Sequence, residues 1–345
     1  MFRIAIVALA LLSALAGCAK EAPPADYANP VFRPVFADPS VLKADDGYYY
    51  AYGTEDAWDD GLVHLIPVIR SADLSHWEFV RDAFDIKPLW KDDGGLWAPD
   101  ISRHKDGNYY LYYAFSLWGD PNPGIGVATA DRLEGPFTDR GKLFDSDGIG
   151  VANSIDPFYY EDDDGKAYLF WGSFHGIYGI ELSEDGLHTV GEKFPVADIQ
   201  YEAPYIVKRD GNYYFFGSSG SCCEGAFSTY NVKIGRAKSI RGPYLDRDGV
   251  DLASGGGTPL LQANPDGEGK RFVGPGHNAV IADDRGRDWI VYHAIDPDDP
   301  TIMNGATKRP LMIDPLEWKD GWPAVPGGEP GTSPRPGPYV KKKNG

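Results

Sequence analysis

The chain has 345 residues and a formal net charge of −18, with 51 Asp and Glu against 33 Lys and Arg. Such a surface repels nucleic acid, anionic lipid and acidic polymers such as polygalacturonate; it suits a neutral substrate, and much of the charge serves solubility alone. Aromatic residues make up 13% of the chain, beside 42 Gly and 28 Pro and no long stretch of helical period, which points to an all-β fold of short strands and tight turns.

Residues 1–17 read as a signal peptide: Arg3 supplies the positive end, and Ile4 to Ala16 form an apolar run too short to span a bilayer. Leu15-Ala16-Gly17-Cys18 resembles a bacterial lipobox. That implies cleavage before Cys18, lipidation of its thiol and new amine, and a membrane contact made only through acyl chains. With Ala19 after the cysteine, the expectation is an exported bacterial lipoprotein, periplasmic or anchored to the outer membrane. A plain secretory signal with an incidental cysteine is the alternative. Residues 18–30 are small, polar and Pro-rich, and read as a flexible tether.

From there one phrase recurs: a leading proline, a few strand residues, an Asp/Gly turn and a run of aromatics. It appears as ADPSVLKADDGYYYAYGT (37–54), APDISRHKDGNYYLYYAFS (98–116), IDPFYYEDDDGKAYLFWGSF (155–174) and EAPYIVKRDGNYYFFGSS (202–219), with a degenerate copy, GPGHNAVIADDRGRDWIVYHA (274–294). Pro39, Pro99, Pro157 and Pro204 precede Gly47, Gly107, Gly165 and Gly211 by seven or eight residues, so hairpin length and register are constant. Five similar hairpins imply five copies of one sheet around an axis. The expected boundaries are 31–92, then to 147, 196, 263 and 324. Outer strands are expected at 63–73, 124–131, 176–183 and 230–239. One repeat-built domain over 31–325 accounts for nearly all of the chain, and the Pro/Gly-rich tail at 326–345 is expected to be disordered at its end.

Matching positions of the copies must converge on the axis, and they carry Asp38, Asp100, Asp156, Glu202 and His277. Any single acid here is read more simply as a turn cap. Three carboxyls beside leading prolines of separate copies, Asp38, Asp156 and Glu202, are costly to gather without a use. Mutual repulsion raises at least one pKa, as a proton donor at neutral pH requires, and glycoside hydrolysis needs two carboxyls flanking the scissile bond. Asp100 follows its proline and is assigned a structural role. Cys222 and Cys223 are adjacent; they form either a strained eight-membered ring or two reduced thiols, and they exclude a disulfide framework or a thiol-rich metal site.

ADPSV, LWAPDI (96–101), NSIDPF (153–158) and YEAPYI (201–206) resemble the motifs of glycoside hydrolase family 43. SCCEGAFSTYNVKIGRAKSIRGPYLDRDG (221–249), GGGTPLL (255–261), YHAIDP (292–297) and RPLMIDPLEWKDGWP (309–323) are similar, more narrowly, to its endo-α-1,5-L-arabinanases; the resemblance covers about 33–325. It implies a five-bladed β-propeller and an inverting mechanism. Asp38 matches the general base, Glu202 the general acid, and Asp156 the carboxylate that orients the acid and raises its pKa. Inversion leaves roughly 6.5–9.5 Å between base and acid for water. Trp97 and Trp118 match aromatic subsite positions, Asn153 and Ser173 match polar substrate contacts, and Tyr230 is placed near the site. His277 matches a histidine that, with water, holds one calcium ion in the central channel, an unusual site for an ion that prefers oxygen. The implied activity is cleavage of α-1,5-L-arabinofuranosidic bonds in arabinan or arabino-oligosaccharides, with endo action. The alternatives are an exo-acting α-L-arabinofuranosidase or β-xylosidase of the same family, or a carbohydrate-binding lipoprotein that does not cut. Insertions around 55–62 and 296–306 are candidates for narrowing the cleft.

Overall fold

A computed structural model describes residues 24–263 and 271–341. The signal peptide and Cys18 lie outside the described residues. Within them, five four-stranded antiparallel sheets follow one another along the chain. Blade one comprises Ser40–Lys43, Tyr49–Tyr52, Pro67–Ser71 and Trp77–Asp82. Blade two comprises Gly95–Arg103, Tyr109–Ser116, Gly124–Ala130 and Thr138–Asp145. Blade three comprises Phe158–Glu161, Ala167–Trp171, Ile177–Leu182 and Thr189–Ala197. Blade four comprises Glu202–Arg209, Asn212–Ser219, Asn231–Ala237 and Thr258–Leu261. Blade five comprises Val273–Ala282, Asp288–Ile295, Leu311–Lys319 and Trp322–Ala324. The first strand of each blade touches the first strand of the next, and that of blade five returns to blade one, which closes a five-bladed β-propeller.

The segments expected as outer strands are the third of four. The outermost strands come from the phrases that follow them, such as Trp77–Asp82. The aromatic runs form the second strands, Tyr49–Tyr52, Tyr109–Ser116, Ala167–Trp171, Asn212–Ser219 and Asp288–Ile295, and are buried almost throughout. They do not alternate with polar residues because each blade is covered on both faces. The core is accordingly five slabs, one between each pair of neighbouring blades. Tyr49, Ile69, Val291 and Ile313 fill the slab between blades five and one; Tyr52, Val68, Leu111 and Phe115 fill the next. Tyr112 packs with Leu169 and Trp171, Phe170 with Phe215 and Tyr244, and Phe216 with Ile290 and Tyr292.

Both ends of the described chain fasten the ring. Asp26–Tyr27 pairs with Arg335–Pro336, Phe32 bridges Leu311, and the Asn29 side chain donates to the Ile313 carbonyl at 2.9 Å. Residues 24–30 are therefore not a free tether: Tyr27 is buried in the slab between blades five and one, against Trp289. Much of the C-terminal tail is docked too, with the Gly331 amide on the buried Asp314 carboxylate and Tyr339 buried.

Candidate active site

Each blade begins its first strand with the same local distortion. Asp38, Ala98, Asp156, Ala203 and His277 have φ of 55°, 45°, 59°, 52° and 49°, the left-handed region that non-glycine residues avoid. Ladder register slips beside three of them, between Trp97 and Asp100, Glu202 and Tyr205, and Gly276 and Ala279. A bulge of this kind re-aims a side chain out of the pleat. The left-handed conformation costs about 1–2 kcal/mol per residue, so its recurrence marks the inner ends of the blades as built for placement. Asp38, Asp156 and His277 thus share one structural position. Glu202 stands one residue before it, at the position Trp97 holds in blade two, and Asp100 stands two residues after it.

The charges meet at this end of the axis. Asp38 is buried, and its Oδ1 lies 2.9 Å from Nη1 of Arg309 and 3.3 Å from Nδ1 of His277. Its Oδ2 accepts the Thr54 hydroxyl at 2.6 Å, and Thr54 Oγ1 in turn accepts the Ala98 amide at 2.8 Å. Burial alone would raise its pKa; Arg309 first, then His277, outweigh burial and hold the carboxyl well below the usual range. His293 contributes differently. Its Nδ1 accepts the Asp38 backbone N–H at 3.1 Å, and burial first, then Arg309, keep the imidazole neutral. It fixes the Asp38 backbone and is no counter-ion, although its Nδ1 is 3.4 Å from Oδ1.

Asp156 and Glu202 go the other way. Burial and the neighbouring charges of Glu202 and Asp38 push Asp156 up to about 8, against the opposing pull of His277. Glu202 is also raised, chiefly by burial. Its Oε2 accepts the Ser173 hydroxyl at 2.7 Å, and Asp156 Oδ2 accepts the Ala203 amide at 3.2 Å, beside Glu202. Two buried carboxyls that feel one another cannot both ionise cheaply, so the pair keeps a proton where Asp38 keeps none. Burial would lower the pKa of His277; Asp38 first, then Asp156 and Glu202, outweigh it and raise it.

Ser173 touches the acid directly, and the Asn153 side chain holds the Ser173 carbonyl at 3.1 Å. Tyr230 is buried with its ring stacked on His293, centroids 5.8 Å apart and planes 10° apart. Its hydroxyl influences Glu202 electrostatically without a hydrogen bond of ordinary geometry. A Cβ on Gly276 would stand 2.2 Å from the Tyr230 ring, which is why blade five has glycine there. Trp97 and Trp118 form a tilted pair, centroids 5.9 Å apart, with Trp118 77% exposed. Asp100 accepts from Ser40 Oγ at 3.0 Å and the Tyr159 amide at 2.7 Å, tying blades one, two and three; burial pushes it up to about 7.

Among the described residues no three His, Cys, Asp or Glu side chains are grouped to hold a metal. His277 turns Nδ1 to Asp38, whose oxygens are engaged. The calcium site the resemblance implies draws one imidazole, His277, from the protein and takes its remaining ligands from water.

Sequence reading missed Thr54, His293 and Arg309. Each lies inside a recurring or family-like phrase (YGT, YHAIDP, RPLM), yet nothing in those phrases shows that they fold back onto Asp38. Cys222 and Cys223 are joined as an adjacent-residue disulfide, which settles the choice left open by the sequence.

The sequence model described as Glycosyl hydrolases family 43 matches residues 27–323. The chain is 35% identical over 291 residues to an extracellular exo-α-1,5-L-arabinofuranosidase of Cellvibrio japonicus, spanning 75% of this chain and 80% of that protein. It is 33% identical over 300 residues to an extracellular endo-α-1,5-L-arabinanase of Bacillus subtilis, spanning 83% and 86%. Among solved structures, a Cellvibrio cellulosa α-L-arabinanase complexed with arabinohexaose matches with a TM-score of 0.74 at 32% identity, covering 85% of this chain and 96% of that one. An endo-arabinanase of Bacillus licheniformis matches with a TM-score of 0.72 at 34% identity, covering 87% and 99%.

Proposed function

The chain belongs to glycosyl hydrolase family 43 and is a glycosidase, and on that premise we propose that it cuts α-1,5-L-arabinofuranosidic bonds within arabinan, with inversion. The Asp38 carboxylate takes a proton from water as the water oxygen attacks the anomeric carbon. Glu202 gives its proton to the glycosidic oxygen as the C–O bond breaks. Asp156, whose charge disfavours ionisation of Glu202, helps keep that proton in place. Ser173 orients Glu202, Thr54 and Arg309 orient Asp38, and Trp97 and Trp118 offer ring faces to sugar C–H groups.

The observation that carries this reading is the opposed protonation of Asp38 and the Asp156/Glu202 pair around one histidine. A binding protein gains nothing from one carboxyl held ionised beside a pair that keeps a proton; general base and general acid need that difference. Product analysis on linear arabinan tests it: a ladder of short arabino-oligosaccharides supports internal cutting. Arabinose alone would favour the exo reading, to which the exo-named Cellvibrio relative gives weight. Turnover of aryl xyloside with none of arabinan would overturn the substrate assignment.

Export and a lipid anchor belong to the same reading, supported by the first eighteen residues and by relatives named extracellular. Fatty-acid labelling that is lost in Cys18→Ser is the expected outcome; labelling that persists would refute the anchor.

A further inference from the structure

The register of the blades fixes which loops stand over the acids. Each first strand starts at the axial charges, and its partner ends beside that start: Ser40 opposite Tyr52, Gly95 opposite Ser116, Glu202 opposite Ser218. The connections leaving the second strands therefore rise at the same end as the site. In blade four that connection is 220–230, and both of its feet touch the catalytic centre. Ser218 pairs with Glu202 and accepts the His277 amide at 2.8 Å, while Tyr230 stacks on His293.

This loop is braced along its length. Asn231 and Ser219 exchange contacts at 3.0 and 3.1 Å, the Ser228 hydroxyl donates to the Ser221 carbonyl at 2.6 Å, and Cys222 and Cys223 are covalently joined. Thr307 of the neighbouring blade-five loop donates to the Cys223 carbonyl at 2.9 Å and accepts the Gly225 amide at 3.4 Å. On the short 3₁₀ turn Gly225–Phe227, the Phe227 ring is 83% exposed, and Met303 on the braced blade-five loop is 86% exposed. A braced loop that leaves a large ring in water is organised for something outside the chain, because ordering costs are met before a ligand arrives.

We propose that Phe227, held by the Cys222–Cys223 loop, is a sugar-binding subsite for arabinan on the leaving-group side of the scissile bond. This rests on the activity proposed above. The occupant follows from continuity: the loop leaves the second strand just after Ser218, which pairs with Glu202, and the proton donor stands by the departing sugar. The ring face meets the C–H face of a furanose in the departing part of the chain. The blade-two pair Trp97 and Trp118 serves another stretch of the same chain.

The test is the cleavage pattern of end-labelled linear arabino-oligosaccharides by wild type, Phe227→Ala and Phe227→Trp. Losing a leaving-side contact lets the oligosaccharide slide to fill the remaining subsites, so Phe227→Ala is expected to move the favoured cut toward the reducing end. It should also raise KM on linear arabinan about three- to tenfold, the scale of one aromatic stacking contact, with Phe227→Trp restoring both. An unchanged pattern and KM in Phe227→Ala would overturn the subsite, and a shift toward the non-reducing end would overturn its side. No cleavage by wild type would overturn the activity and the subsite together, which separates the two failures.

Discussion

Asp38 in blade one and Asp156 in blade three occupy the same place in their repeats. Both precede proline, both are left-handed, and both are buried. Their proton affinities nonetheless move apart, Asp38 well below the ordinary range and Asp156 up to about 8. The difference comes from what the other blades supply. Blade five brings Arg309 and His277 against Asp38, whereas blade four brings another carboxyl, Glu202, toward Asp156. Repetition sets where an acid stands; the non-repeating neighbours set whether it holds a proton.

The sharpest way to break that contrast is to remove one side of it. Asp38→Asn and Glu202→Gln are each expected to lower kcat on arabinan by about 10²–10⁴-fold, the usual worth of a positioned base or acid, with the circular-dichroism spectrum unchanged. The two should then part on an aryl arabinofuranoside whose leaving group needs no proton: Glu202→Gln recovers much of its rate and Asp38→Asn does not. Equal losses on both substrates would mean that the roles of the two sides are misassigned.

The pH profile separates the walls more finely. Activity needs Asp38 ionised, so the acid limb falls as pH drops through a pKa held well below its ordinary value. Activity also needs the Asp156/Glu202 proton, so the alkaline limb falls as pH rises through the raised pKa of that pair. Arg309→Met removes the chief charge that lowers the Asp38 pKa. It should move the acid limb upward and lower kcat by about tenfold or more, while Arg309→Lys keeps the charge and most of the position. Asp156→Asn removes the like charge and should move the alkaline limb downward by about one pH unit. If the two variants shift the same limb, the contrast between the walls is lost.

The positions of the acids were legible in the sequence because the repeat fixes hairpin length, and constant length fixes which residues reach the axis. Their surroundings were not. Arg309 and Asp38 are 271 positions apart, and only ring closure brings them together. Ser173 shows the same limit: its phrase placed it at the site, but its hydroxyl is given to Glu202. The chain ends misled for a related reason. Pro-rich composition reads as loose chain, but Tyr27 and Asn29 find partners on blade five that no local pattern announces. The left-handed residues were invisible too, since the alanines and aspartates that adopt them carry no mark of glycine.

Those alanines give the smallest effect and isolate backbone geometry from chemistry. Ala98 and Ala203 hold the conformation of Asp38 and Asp156 with no group to titrate, whereas Ala51 sits in an ordinary buried second strand. Changing Ala51 to glycine loses a buried methyl, about 0.8 kcal/mol, and adds about 0.5–1 kcal/mol of chain entropy. It should destabilise the protein by about 1.5 kcal/mol. Ala98→Gly incurs the same two losses but releases a left-handed alanine, worth about 1–2 kcal/mol. Its net effect on the urea midpoint should therefore be near zero. If Ala98→Gly destabilises as much as Ala51→Gly, the left-handed turn carries little strain, and the placement of Asp38 and Asp156 must come from side-chain contacts alone.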